Sequence, residues 1–473
     1  VSVVIHQGDC REVMPTLPSD SVDSVVTDPP YALTTSKRFV PGQAGGFMGK
    51  TWDTGDVAFD PATWEAVLRV LRPGGHLLAA GGSRTHHRLA GAIEDAGFEI
   101  RDTIVHLFGQ GFPKSLDISK AIDKAAGVER PRVPGGAGNG PGTYSGYRSG
   151  EAISGEAVRW QGFGTALKPA AEFWVLARKP LSARSVAANV LAHGTGGINV
   201  DACRLGGTEA QDYTVTRRKL GATQNRTGGN WRPEKDGIEY HGQTKAGRWP
   251  ANVVLSHTPE CREVGTRKVK VIGATAHQMR HSTQGIAHSD VPHEHPGFRD
   301  PDGTETIPAW ECSEDCPVRM LDEQSGKERG ASGRASGPSL EEPYGRGVAY
   351  GARRGTAVPA PFYGDTGGAS RFYFTAKAGP AERSEGMAGR SKHPTVKPLA
   401  LMVWLVKLVT PPGGRVLDPF LGTGTTAIAC LGNGFSCIGI EREPEYVEEA
   451  RQRIGLGCEV ATRPLSALGD GTP

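Results

Sequence analysis

A chain of 473 residues has room for one large domain or two medium ones. Its apolar fraction of 37% is low for that length, and 66 glycines with 34 prolines predict a compact core carrying long irregular insertions. A net charge of +3 neither requires nor excludes a nucleic-acid partner, because a local basic groove can bind phosphate on a nearly neutral chain.

No apolar run reaches the ~18 residues of a membrane span, and the N-terminus shows no basic-then-apolar signal pattern. The expectation is a cytoplasmic protein with no membrane contact. Val1 fits a valine-coding start codon and a missing leader residue equally well. The eight cysteines are scattered, and Cys430 and Cys437 sit in apolar stretches, which suits reduced thiols in a core rather than disulfides.

From residue 1 to about 179, short strands alternate with helices. Residues 23–27 read as a buried strand and 64–71 as a helix stopped by Arg72-Pro73-Gly74-Gly75. Residues 76–80 read as a strand, 85–96 as a helix closed by Gly97, then 98–108 and 172–177 as strands. Between about 180 and 388 the rhythm fails, with tracts rich in Gly, Ser and Arg at 326–338 and 345–355. It returns with a helix at 399–409, a stop at Thr410-Pro411-Pro412-Gly413-Gly414 and a strand at 415–418. A helix at 425–431, a strand at 435–441 and a helix at 445–454 follow. This is a doubly wound α/β pattern, and the two blocks read as halves of one sheet. The expected organisation is 1–180, a loop-rich insertion at 181–388, 389–456, and a tail at 457–473.

Two motifs carry chemistry. Thr27-Asp28-Pro29-Pro30-Tyr31 ends the strand that begins at Asp23. Two prolines fix φ and remove backbone donors, leaving a stiff turn with free carbonyls, a carboxylate and an aromatic ring. Such a set suits an amino group on a flat base: the Asp28 carboxylate and the Pro29 carbonyl accept its two hydrogens, and Tyr31 stacks on the flipped ring. Asp-Pro-Pro is also a common turn.

The second motif is Asp418-Pro419-Phe420-Leu421-Gly422-Thr423-Gly424-Thr425-Thr426, between a strand and a helix. Glycines let the backbone approach a ligand closely, and Glu441, at the end of the next strand, stands where an acid can hold ribose hydroxyls. No phosphate-loop pattern is present, so an adenosine-like ligand is favoured over one needing a phosphate cradle. A dinucleotide site and a purely structural turn are the alternatives.

This pair of motifs, DPPY and DPFLGTGTT, with His393-Pro394-Thr395-Val396-Lys397-Pro398 upstream of the second, resembles the amino-methylating (N6-adenine/N4-cytosine) DNA methyltransferases. The order, catalytic motif first, matches the β arrangement of that family. Gly111-Phe112-Pro113-Lys114-Ser115 and Ala166-Leu167-Lys168-Pro169-Ala170 look like the phage and prophage variety. The resemblance covers about residues 1–180 and 370–456. It implies a Rossmann-like methyltransferase sheet with an antiparallel hairpin and a target-recognition region in the insertion. It further implies S-adenosylmethionine as cofactor and double-stranded DNA as substrate. Asp28, Pro29, Pro30 and Tyr31 would be catalytic. Asp418, Pro419, Phe420, Gly422, Thr423, Gly424, Thr425, Glu441 and Lys397 would line the cofactor pocket, with Asp9 of Gly8-Asp9-Cys10 near the adenine.

The aspartate form of DPPY favours N6 of adenine, and N4 of cytosine is the alternative. An RNA or protein N-methyltransferase, or an inactive DNA-binding module, is weighed against these. The former more often carries Asn before Pro-Pro-Tyr, and the latter would show eroded motifs. Both monomers and homodimers occur in the family, and the sequence says nothing of a restriction endonuclease partner.

In the insertion, His257 and Cys261 at HxxxC spacing, with Cys312 and Cys316 at CxxxC spacing, offer four soft ligands for a structural zinc. Four unrelated residues are the other reading. Arg217-Arg218-Lys219 and Arg267-Lys268-Val269-Lys270, with Tyr213, Trp231, Tyr240 and Trp249, offer contacts to DNA, although ordinary solvated loops look the same. His281, His288, His293 and His295 read as an exposed histidine-rich loop.

Overall fold

The computed structural model describes residues 1–32, 56–109, 111, 115–134, 147–149, 151–206, 212–218, 237–243, 247–270, 300, 302, 304–325, 367–377, 396–455 and 458–461. The strands are β1 (Val3–Gln7), β2 (Val22–Thr27), β3 (Leu71–Gly82), β4 (Glu99–Leu107), β5 (Arg132–Pro134), β6 (Tyr147–Ser149), β7 (Ala171–Arg178), β8 (Asp212–Arg218), β9 (Gly237–Gln243), β10 (Val253–Ser256), β11 (Arg262–Lys270), β12 (Thr304–Glu311), β13 (Phe374–Ala376), β14 (Arg415–Asp418), β15 (Ser436–Glu441) and β16 (Cys458–Ala461). The α-helices are α1 (Cys10–Val13), α2 (Pro61–Val70), α3 (His86–Asp95), α4 (Ile118–Ala125), α5 (Gly155–Arg159), α6 (Val186–His193), α7 (Pro317–Ser325), α8 (Leu399–Val409), α9 (Thr425–Leu431) and α10 (Pro444–Ile454).

Ten strands form one sheet in the order β13-β10-β4-β7-β3-β2-β14-β15-β1-β16. β2 runs parallel to β3 and β14, and β14 parallel to β15, while β7 runs antiparallel to β3. This is the expected α/β class, a largely parallel sheet with helices on both faces. Strand residues alternate between two cores, as the period of two requires. Val26, Leu78 and Ala80 face α8 and α9. Val25, Leu77 and Ala79 face α2 and α3. Among the described residues no helix is long and apolar enough to cross a membrane.

The described chain divides into two compact units, Val1–Gly109 with Glu172–Pro473, and Gln110–Ala171. The smaller unit is built around a buried carboxylate. Asp123 accepts from the Ser154 backbone N–H at 3.1 Å, the Ser154 hydroxyl at 2.6 Å and the Arg130 guanidinium at 2.6 Å. Of its sequence segments, Gly111, Ser115 and 166–170 are described, and 112–114 lie outside the described residues. In the larger unit, β10 and β13 belong to the sheet although both lie within 181–388. β10 overlaps the strand-like residues 252–255 of the sequence, whereas β13 is three residues long, too short to print a period.

The geometry of the sheet decides where a ligand can bind. From β2 the chain moves to β3 on one side, and from β14 to β15 on the other, so the crevice between β2 and β14 is the switch point of the fold. Open α/β sheets bind ligands outside the carboxyl ends of the strands at such a point.

Candidate active site

Asp28 follows the last residue of β2, and Asp418 is the last residue of the adjacent β14. The Thr27 hydroxyl donates to Asp418 Oδ1 at 2.6 Å across the crevice, so two motifs 391 positions apart are tied to each other. Asp418 Oδ2 accepts from the Thr426 hydroxyl at 2.6 Å, and Oδ1 also accepts from the Phe420 N–H at 3.1 Å. Burial pushes Asp418 up to about 6, against the pull of its hydroxyl donors. With both oxygens engaged, Asp418 holds the glycine turn to β2.

The turn itself is shaped by Gly424, whose φ of +82° is left-handed and whose missing Cβ would stand 3.0 Å from Ile454 and 3.1 Å from Ala450. Beneath it, the buried Arg453 guanidinium donates to the Thr423 carbonyl at 2.7 Å, the Thr423 hydroxyl at 2.8 Å and the Thr425 hydroxyl at 3.1 Å. Thr423 and Thr425 are thereby turned toward α10, and Arg453 is a positioning residue that the motif alone did not indicate. Glu441, at the end of β15, accepts from the Gly422 N–H and the Glu443 N–H, each at 2.8 Å. Burial pushes its carboxyl up to about 7.

Asp9, after β1, is the N-cap of α1 and is gripped by Arg11 at 2.6 Å; the adjacent Gly8 N–H donates to the Glu441 carbonyl at 2.9 Å. Asp9, the glycine turn and Glu441 therefore occupy neighbouring strand ends. Pro419 sits in the turn, and Phe420 packs partly buried against the α2 and α3 core.

Lys397 lies beside Asp28 and Tyr31. Its Nζ donates to Tyr31 Oη at 2.9 Å and to Glu172 Oε1 at 2.9 Å, and lies 3.1 Å from Asp28 Oδ2. Burial works against the charge on Lys397, but the two carboxylates outweigh it and hold the ammonium above its ordinary value. Glu172, at the start of β7, also faces His106 Nδ1 at 3.5 Å, and His106 Nε2 pairs with the Ser256 hydroxyl at 2.7 Å. Burial raises the Glu172 carboxyl, yet Lys397 and His106 bring it down to about 2. For Asp28 the balance goes the other way: burial and the Glu172 charge push it up more than Lys397 pulls it down.

The outcome is one ionised pair, Lys397 with Glu172, supporting a second carboxylate. Asp28 Oδ1 is buried and has no hydrogen-bond partner among the described residues. A buried acceptor left open costs about 1–3 kcal/mol, so it is the place where a donor from a ligand is most favoured. Just beyond, Ala32 has a left-handed φ of 44°, and the Thr85 hydroxyl holds the Tyr31 carbonyl at 3.1 Å. Strain of this kind, held by neighbouring contacts, accompanies binding turns. Pro29 is buried and Pro30 half-buried. Of HPTVKP, residues 393–395 lie outside the described residues.

Glu172, His106, Ser256 and Arg453 were absent from the sequence expectation. An acidic residue opening the otherwise apolar Glu172-Phe173-Trp174-Val175-Leu176-Ala177 was the one available signal.

Elsewhere, His257, Cys261, Cys312 and Cys316 come together, their ligand atoms all within 4.8 Å of one another. The basic stretch on β11 is largely spoken for: Lys268 pairs with Asp302, and Arg267 lies 3.9 Å from Asp322. Arg217 and Arg218 fall on β8, Tyr213 and Tyr240 on the β8 and β9 hairpin, and Trp249 is exposed with Arg204 5.5 Å from its ring centre. Lys219, Trp231 and the four histidines 281, 288, 293 and 295 lie outside the described residues. Cys10, Cys203, Cys261, Cys312, Cys316, Cys430 and Cys437 form no disulfide.

Comparison with known proteins points the same way. Over 73 residues, 15% of this chain and 20% of the relative, the chain is 40% identical to the type II methyltransferase M.HinfI of Haemophilus influenzae. Over 62 residues, 13% of this chain and 18% of the relative, it is 44% identical to the type II methyltransferase M.BglI of Bacillus subtilis. The chain thus spans about a fifth of the length of the curated relatives it matches. Among solved structures, the cytosine-N4-specific PvuII DNA methyltransferase aligns over 96% of this chain and 86% of its own at 12% identity, with a TM-score of 0.38. Residues 364–452, which include Lys397, the glycine turn and Glu441, match the family of DNA methylases that modify N6 or N4 amino groups.

Proposed function

We propose that the protein is an S-adenosylmethionine-dependent DNA methyltransferase that methylates an exocyclic amino nitrogen, N6 of adenine in preference to N4 of cytosine. The observation that carries the proposal is the unpartnered Asp28 Oδ1, buried at the end of β2 and tied through Thr27 to the glycine turn.

The donor would lie along the ends of β14, β15 and β1. Glu441 would take its ribose hydroxyls and Asp9 would stand near the adenine, with the glycines giving room for close approach. Asp28, Asp418 and Glu441 form a row of acids in which Asp28 pushes Asp418 up and Asp418 pushes Glu441 up. Such a row favours a cation, which the sulfonium is.

The base would be flipped from the duplex so that its amino group meets Asp28. With Asp28 and the Pro29 carbonyl accepting its two hydrogens, the nitrogen is drawn toward tetrahedral geometry and its lone pair is turned to the methyl carbon. The C–S bond breaks as the N–C bond forms, the sulfonium leaves as a neutral thioether, and the amino proton, acidic only once the methyl is in place, passes to Asp28. The donor is already activated, so the protein's contribution is alignment and exclusion of water. Lys397 keeps Asp28 oriented and holds Tyr31 by its hydroxyl, leaving the ring to stack on the base.

The aspartate in the motif supports adenine over cytosine, and over protein or RNA substrates. Double-stranded DNA is the proposed partner and the cytoplasm the proposed compartment. The segments at 111–115 and 166–170 support the phage-like variety. The proposal is tested by incubating the protein with methyl-labelled S-adenosylmethionine and unmethylated duplex DNA. Label appearing in N6-methyladenine supports it, and label only in N4-methylcytosine overturns the base. Label in neither, from protein that binds the donor, overturns the substrate.

The upward-shifted Glu441 predicts a pH signature. The ionised carboxylate accepts hydroxyl hydrogens and the protonated one accepts them less well. Donor affinity measured by titration calorimetry is therefore expected to weaken by about tenfold per pH unit as pH falls below about 7. An affinity unchanged from pH 8.5 to pH 6 contradicts a role for Glu441 in holding the donor.

A further inference from the structure

His257 directly follows β10, and Cys316 directly precedes α7. Cys261 and Cys312 flank the first and last residues of the β11 and β12 hairpin, where Arg262 pairs with Glu311. The two ligand pairs sit on matching turns. The Cys261 N–H donates to the Thr258 carbonyl at 3.1 Å, and the Cys316 N–H to the Ser313 carbonyl at 3.2 Å. Thr258 and Ser313 occupy the same place in each turn, and their hydroxyls meet at 2.6 Å.

His257 Nδ1 lies 3.4 Å from Cys312 Sγ and 3.5 Å from Cys316 Sγ. A tetrahedral zinc with sulfur at about 2.3 Å and nitrogen at about 2.0–2.1 Å places N and S about 3.6 Å apart. The measured separations fit that figure. His257, Cys261 and Cys316 are buried, and His257 stacks on Trp310 with ring centres 4.0 Å apart, which fixes the imidazole plane.

We propose that His257, Cys261, Cys312 and Cys316 bind one zinc ion in a closed, structural site that fastens the β11 and β12 hairpin and α7 to the edge of the sheet. Two further observations support it. Three thiolates and one imidazole leave the zinc complex with a net charge of −1, and Lys377 is positioned to balance it, its ammonium donating to the Cys261 carbonyl. The apolar cluster under the hairpin is also small: among the described residues Leu255 and Val318 are its buried members besides Cys261 and Cys316. The far end of the hairpin is anchored by the buried Glu305 with Arg248, and a metal would fasten the end where Cys261 and Cys312 stand.

The four ligands leave no open coordination position, so the ion takes no part in methyl transfer. Its reach is mechanical. Ser256, whose hydroxyl ends the row from Lys397 through Glu172 and His106, is the residue before His257.

The test is metal analysis of protein grown with added zinc and never exposed to chelator. About one zinc per chain is expected. Cobalt substitution should give the intense visible bands of a tetrahedral site with thiolate charge transfer. His257→Cys should retain the metal with four thiolates, and Cys312→Ser should lose it. Metal removal should speed hydrogen exchange across 262–270 and 304–311 while leaving 415–441 unchanged. Zinc far below one equivalent in wild-type protein overturns the proposal whether or not the variants fold. So does iron in its place, or full metal content in Cys312→Ser.

Discussion

Replacing Asp28 with alanine is expected to lower methyl transfer by about 10³-fold or more while leaving donor affinity near that of the unaltered protein. The two effects separate because of how the carboxylate is held. Its Oδ1 is buried without a hydrogen-bond partner among the described residues, and its Oδ2 faces Lys397, which keeps Glu172 as a partner when Asp28 is gone. No buried charge is therefore stranded, and the fold is retained. The proposed donor side, formed by Asp9, the glycine turn and Glu441, makes no hydrogen bond to Asp28 among the described residues. Single-turnover transfer measured beside titration of the donor distinguishes the roles. Retained transfer would remove Asp28 from the chemistry, and lost donor affinity would make it a structural residue of the pocket.

Lys397→Met is expected to be the more disruptive change, costing about 3–5 kcal/mol of stability as well as activity, because it leaves Asp28 and Glu172 together without their shared cation. The side chains of Lys397, Glu172 and Asp28 are 10%, 18% and 23% exposed, so water screens them little. The pH dependence has a definite sign. Glu172, held at about 2 in the fold, contributes stability above the ordinary glutamate range and loses it as pH falls through its depressed value. Without Lys397 that contribution is absent at neutral pH, so the stability difference from the unaltered protein is largest there and shrinks in acid. For activity, the pair of carboxylates would hold a proton, and Asp28 would need a higher pH to ionise. The rising limb of the rate profile therefore moves to higher pH. A limb in its original place, with stability unchanged, would contradict the assignment of Lys397 to Asp28 and Glu172.

Much of the sheet was legible because its strands and helices end at punctuation. α8 occupies 399–409, β14 occupies 415–418 and α9 occupies 425–431, as the apolar runs and the Pro-Pro-Gly-Gly stop predict. Of β10 only a strand-like 252–255 stood out, and β13 is a three-residue island inside polar, glycine-rich sequence. Asp28 and Asp418 were legible because proline and glycine mark the turns they occupy.

The support around them was not. Lys397 and Tyr31 are 366 residues apart, and Lys397 and Glu172 are 225 apart. Neither contact leaves a local trace, so the sequence did not show that Lys397 lies beside Asp28. Arg453 was hidden in the same way, as a basic residue in a charged helix. The cysteine and histidine spacings were readable pair by pair, but only folding brings Cys312 to His257 across 55 residues.

The central claim is that this chain methylates an amino nitrogen of a DNA base through Asp28. Single-molecule sequencing of genomic DNA from a methylation-free bacterial host, expressing either the unaltered protein or its Asp28→Ala variant, tests it most directly. N6-methyladenine at one sequence motif, absent with the variant, is the predicted result. No modified base from soluble protein that binds S-adenosylmethionine, or a mark that persists in the variant, would contradict it.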